Sequence, residues 1–150
     1  MPYLIDANNL AGRLGILREN NFDQILIDLI RQYSEENNKK IVLVFDSNDS
    51  MGDRYKIDNV TVIYTPRDTV YNNADDKIVE LMQNEKSPRD WVVISDDLKI
   101  LDEADKFDIK TILAREFAKR LLPPEELPEE DELSEQEQEE LVDELMEEWN

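Results

Sequence analysis

The chain has 150 residues, 36% of them charged, and a formal net charge of −20. It contains no cysteine and no histidine, which excludes disulfides, thiolate metal sites and His-based acid–base chemistry, and leaves carboxylates, Lys, Tyr, Ser or a bound metal to carry any reaction. Residues 123–150 hold fourteen of the acids and no Lys or Arg, so the acidity is concentrated in the tail.

In chain order, Tyr3-Leu4-Ile5 is a short apolar run ending at Asp6 and reads as a strand buried on both faces. Residues 22–37 place Phe22, Ile25, Leu26, Leu29, Ile30 and Tyr33 on one helical face, and Asn37-Asn38 ends the helix. Ile41 to Phe45 is a second strand ending at Asp46, and the polar stretch 47–59 reads as a loop. Val60 to Tyr64 is a third, β-branched strand, followed by a loop over Thr65 to Asn73 and a helix over Asp75 to Asn84. Trp91 to Ile94 is a fourth strand ending at Ser95-Asp96-Asp97, with Trp91 expected in the core. A helix over 98–106, a fifth strand over 109–113 and a helix over 114–122 complete the domain.

Strands alternating with helices predict a mostly parallel sheet in a three-layer α/β domain over residues 1–122. Pro123-Pro124 and Pro128 close it. Residues 123–150 form a separate acidic extension, with a capping box at Ser134 and Glu137 and a helical stripe of Leu141, Val142, Leu145, Met146 and Trp149. Three readings of this C-terminal helix stay open. It folds back on its own domain, it docks on a second copy or another protein, or its carboxylates compete with RNA for basic loops. No signal peptide or membrane-length apolar run is visible, so a soluble, cytoplasmic protein with no membrane contact is expected.

In open parallel sheets ligands bind beyond the carboxyl ends of the strands. Three strands here end in Asp: Asp6, Asp46 and Asp96. Asp75 opens the helix after the third strand and could face the same rim. Converging carboxylates repel one another unless a cation lies between them, and Mg²⁺ or Mn²⁺ prefers such oxygen ligands. Taken singly, each Asp also suits a helix N-cap or a turn. Asp76 and Asp97, beside Asp75 and Asp96, are weaker ligand candidates. Positive charge for a phosphate backbone is sought in rim loops at Arg13, Arg18, Arg54, Lys56 and Arg67, and Tyr71 could stack on a base.

Several segments resemble the YacP-like group of NYN domains. Tyr3-Leu4-Ile5-Asp6-Ala7-Asn8-Asn9-Leu10 is similar to the opening strand and D-x-x-N motif. Val44-Phe45-Asp46, Tyr64-Thr65-Pro66, Asn73-Ala74-Asp75-Asp76-Lys77-Ile78, Ile94-Ser95-Asp96-Asp97 and Ala114-Arg115-Glu116-Phe117 follow in the family's order. The departures are Ala7-Asn8 for the usual Gly-Tyr, Asn73 for Thr, and Asp97 for a basic residue. The acidic tail after Pro123 is expected to lie outside the pattern.

The resemblance implies a PIN-like, Rossmann-like fold and a Mg²⁺- or Mn²⁺-dependent endoribonuclease acting on single-stranded RNA, in a group with a ribosome-associated member that cuts messenger RNA. By motif position it implies Asp6, Asp75 and Asp96 as the catalytic metal-binding core, Asp46 as an accessory ligand, and Asn9 as a residue holding Asp6 or a substrate phosphate. The competing expectation is a non-catalytic RNA- or protein-binding module of the same fold. Asp46-Ser47-Asn48-Asp49-Ser50 also resembles the adhesion metal site of von Willebrand A domains, but Asn48 stands where Ser is expected and the motif follows the second strand instead of the first. A haloacid-dehalogenase reading needs Asp at position 8, which is Asn.

Overall fold

A computed structural model describes residues 2–46, 53–65, 74–84 and 87–128. The expectations for Arg67, Tyr71 and the helical stripe 141–149 lie outside these residues, as do the side chain of Asp75 and most of the adhesion-like segment.

The central sheet has six strands: β1 (Tyr3–Asp6), β2 (Ile41–Asp46), β3 (Asp53–Ile57), β4 (Val60–Thr65), β5 (Val92–Ile94) and β6 (Lys110–Ile112). They lie in the order β3-β4-β2-β1-β5-β6, parallel except for β3, which runs antiparallel to β4 at the edge. β1 sits between β2 and β5 and is buried along its whole length, as its unbroken apolar run requires.

Five α-helices cover the two faces of the described domain: α1 (Ala7–Leu14), α2 (Phe22–Asn37), α3 (Ala74–Asn84), α4 (Leu98–Lys106) and α5 (Ala114–Leu121). One core joins Ile5, Leu43, Phe45 and Val62 to α1, α2 and α5. The other joins Leu4, Val44, Ile63 and Val93 to α3 and α4. Side chains alternate across the sheet, so the two cores share strands without sharing residues. The result is the expected three-layer α/β arrangement. Trp91 is only half-buried, at the edge of the second core, instead of enclosed within it.

Two elements depart from the sequence reading. Residues 53–57, expected within a loop, form β3, turning into β4 through Asp58, whose φ of 54° is left-handed. Residues 7–14 form α1, with Ala7, Leu10, Ala11 and Leu14 buried at i, i+3, i+4 and i+7. Gly15 ends α1 at φ 76°, where a Cβ would meet the Pro128 ring at 3.3 Å. No helix of the described residues is long and apolar enough to cross a membrane.

A candidate active site at the carboxyl rim of the sheet

Because β1, β2, β4 and β5 run in parallel, their carboxyl ends meet along one rim. The register places Ile5 beside Ile94, so Asp6 and Ser95 follow at the same level. The Ser95 hydroxyl donates to Asp6 Oδ2 at 3.0 Å, and the Asp97 N–H donates to Ser95 Oγ at 2.9 Å. Ser95 thereby ties the first strand end to the turn that opens α4.

The paired asparagines of α1 bind the neighbouring strand ends. Asn8 Oδ1 accepts from the Asp46 N–H at 2.9 Å, and Asn9 Oδ1 accepts from the Asp96 N–H at 2.8 Å. Two backbone donors that leave the sheet ladder at the ends of β2 and β5 are thus satisfied from one helix turn. Asn9, expected to hold Asp6 or a phosphate, binds the Asp96 backbone with its side chain and donates its own backbone N–H to Asp6.

The rim carboxylates differ in their surroundings. Asp6 is 4% exposed and has no cationic partner among the described residues. Burial pushes its pKa from 3.8 up to about 7, the Asp97 and Asp46 carboxylates push the same way, and the Ser95 hydroxyl and the Asn9 backbone N–H offset only part of this. Asp96 is equally buried but has cations at hand. Its Oδ2 receives Arg13 Nε at 2.5 Å, and its Oδ1 lies 3.4 Å from the Arg115 N–H and 3.9 Å from Arg115 Nε. Asp46 is exposed at the end of β2.

The helix-start acids take local roles. Asp97 is the N-cap of α4 and accepts from the Lys99 N–H at 2.9 Å, and Asp76 pairs with Lys99 Nζ at 2.9 Å. Asp75 lies in the first turn of α3. Among the described residues, no three carboxylates come together in a group that could hold a metal ion.

The basic residues are rearranged relative to the sequence reading. The Arg13 side chain is 16% exposed and committed to Asp96. Arg18 is exposed beyond the far end of α1. Arg54 and Lys56, sought in a rim loop, belong to β3, where Lys56 pairs with Thr61 near the start of β4. Sequence reasoning missed Asn8, Ser95 and Arg115 as parts of this site. The Asn8-Asn9 pair one residue beyond a strand-end Asp was the available signal for the first, and the Ser95-Asp96-Asp97 run for the second.

An all-oxygen donor set suits Mg²⁺ or Mn²⁺ better than softer metals. The buried Asp6 carboxylate has no counter-ion among the described residues, and a cation near it would offset its burial.

Comparison with known proteins gives a consistent family. The sequence profile of the YacP-like NYN domain matches residues 3–150. The match runs through the acidic extension, which corrects the expectation that the tail lies outside the family pattern. No curated protein matches the chain. The crystal structure of Rae1 (YacP) from Bacillus subtilis superposes with a TM-score of 0.62 at 23% identity, covering 81% of this chain and 73% of that one. A point variant of the same protein gives 0.62 at 21% identity, over 81% and 74%. At these identities the likeness concerns the fold.

Proposed function

The chain belongs to the YacP-like NYN domain family, and from that premise we propose that it is a metal-dependent endoribonuclease that cuts single-stranded RNA. NYN domains are generally ribonucleases, so a nuclease-related role follows from membership. The finer reading rests on one observation: Asp6 lies buried at the rim with no cation among the described residues, and Asp96 is anchored to the same helix turn through Asn9.

In this reading Asp6, Asp75 and Asp96 hold a Mg²⁺ or Mn²⁺ ion, and Asp46 is an accessory ligand. A bound ion of this kind supplies a nucleophilic water near neutral pH and stabilises charge on the phosphodiester oxygens. The remaining residues do positioning work. Ser95 fixes one oxygen of Asp6, Asn8 and Asn9 hold the strand ends in register, and Arg115 steadies Asp96. Arg13 could turn from Asp96 toward a substrate phosphate once a metal neutralises that carboxylate. Arg67 and Tyr71, which precede α3 in the chain, are proposed RNA contacts, and Arg18 a more distant one.

The commitment of Arg13 to Asp96 favours a second reading, a module that binds RNA or protein without turnover. Mn²⁺-dependent cleavage of an end-labelled single-stranded RNA separates the two. Wild-type protein is expected to cut, and Asp6→Asn and Asp96→Asn to lose cutting while still folding. Equal cutting by all three points to a contaminating nuclease and rejects the enzyme. Retention of RNA without cleavage selects the module.

A further inference from the structure

At the other end of the sheet the strands begin, and the surface changes character. A groove of about 610 Å³ opens there on the face that carries α3 and α4, and along the β3 edge it reaches Arg54 and Ile63, level with Asp6. Val42, Ile63, Met82 and the half-buried Trp91 line its apolar floor. Lys40, Arg54 and Lys56 stand around it, with Asp90 the one acid among the described lining residues. None of these three cations makes an ion pair among the described residues.

The topology explains the groove. β3 alternates, sending Tyr55 and Ile57 to the first core and Arg54 and Lys56 to the opposite face. α3 packs mainly over β1, β2 and β4, so the β3 side of that face keeps an apolar shelf with a cationic border.

An apolar, cationic groove on a protein of net charge −20 suits an occupant that is both apolar and anionic. The chain itself carries one. Residues 129–150 contain twelve acids and no Lys or Arg, with Leu141, Val142, Leu145, Met146 and Trp149 at helical spacing. The described chain stops at Pro128, whose ring lies against Gly15 while Leu127 packs on the first core. From Pro128, the thirteen residues to Leu141 can span roughly 43 Å when extended. That far exceeds the radius of gyration of about 14 Å expected for a domain of this size.

We propose that residues 129–150 dock in this groove as an amphipathic helix, with Trp149 on the apolar floor and the glutamates facing Lys40, Arg54 and Lys56. Docking there keeps the tail's negative charge over the strand starts and the β3 edge, with β4 and β2 lying between β3 and the β1 strand that carries Asp6. The tail then covers an exposed apolar face and does not compete with RNA at the rim.

The chain has two tryptophans, so Trp91→Phe leaves Trp149 as sole reporter in the full-length protein. Docking is expected to give blue-shifted Trp149 emission that is protected from acrylamide. Arg54→Glu with Lys56→Glu, both exposed on the edge strand, should red-shift the emission and restore quenching without changing the circular dichroism. Adding Glu144→Lys and Glu148→Lys in the tail should bring the blue shift back. The reciprocal chain, Trp149→Phe, keeps Trp91, whose quenching should rise on the same groove reversal. Solvent-like Trp149 emission in the parent overturns the proposal, as does a blue shift indifferent to charge reversal. A blue shift lost on dilution assigns the tail to a second copy and also overturns it. So does a groove reversal that weakens RNA retention while the Trp149 signal stays unchanged, because RNA is then the occupant.

Discussion

At the carboxyl end of the sheet, buried carboxylates are held by Ser95, Asn9, Arg13 and Arg115; toward the amino end and along the β3 edge, Lys40, Arg54 and Lys56 make no ion pair among the described residues and stand over apolar side chains. Both ends belong to the same parallel strands. They differ because the chain turns from strand into helix at the rim, where Asp, Asn and Ser satisfy backbone donors, while helices return to the other end and leave the β3 side of one face partly open. Asp6 and Asp96 at the rim are buried, and a buried charge demands a partner. Charge placed on an edge strand stays in solvent and needs none.

The largest effect expected from this contrast is on cleavage. On the proposed nuclease reading, Asp6→Asn or Asp96→Asn should cost several kcal/mol of transition-state stabilisation, at least about a hundredfold in rate. Single-turnover cleavage measures it.

Next comes the stability of the metal-free protein. The folded-state pKa of Asp6, about 7, lies above its ordinary 3.8, so the fold favours the neutral acid. Its contribution is fully present below pH 4 and is lost as pH rises toward 7. Asp6→Asn should therefore stabilise the metal-free fold increasingly over that window, by a few kcal/mol at most, since each tenfold change in acidity is worth about 1.4 kcal/mol. Urea melts at several pH values in EDTA test this. A difference between variant and wild type that does not vary with pH contradicts the burial argument.

Asn9→Ala strips the Asp96 N–H of its acceptor, with an expected loss of about 1–3 kcal/mol. As a supporting residue it should also lower Mn²⁺ affinity by roughly 10- to 100-fold, read by calorimetric titration. The smallest effect is at the amino end. Lys56→Ala should change stability by less than about 0.5 kcal/mol and leave cleavage untouched.

The contrast also marks what the sequence reveals. The strand-end positions of Asp6, Asp46 and Asp96 were legible because apolar runs announce buried parallel strands and a charge must end them. β3 was missed because an edge strand buries only Tyr55 and Ile57, and Asp53-Arg54-Tyr55-Lys56-Ile57 reads as polar. α1 was missed although its buried spacing was present, because eight residues rich in Asn give a weak propensity signal. The Arg13–Asp96 pair and the Asn9 bond to Asp96 were illegible, since they join residues 83 and 87 positions apart and exist only once the sheet is assembled.

The central claim is that Asp6 and Asp96, with Asp75, share one divalent cation. Anomalous diffraction from a crystal soaked in Mn²⁺ tests it most directly. The account predicts a peak within about 2.0–2.6 Å of oxygens from Asp6, Asp75 and Asp96, with Arg13 moved off Asp96. An empty rim at saturating Mn²⁺, with Arg13 still bound to Asp96, would contradict it.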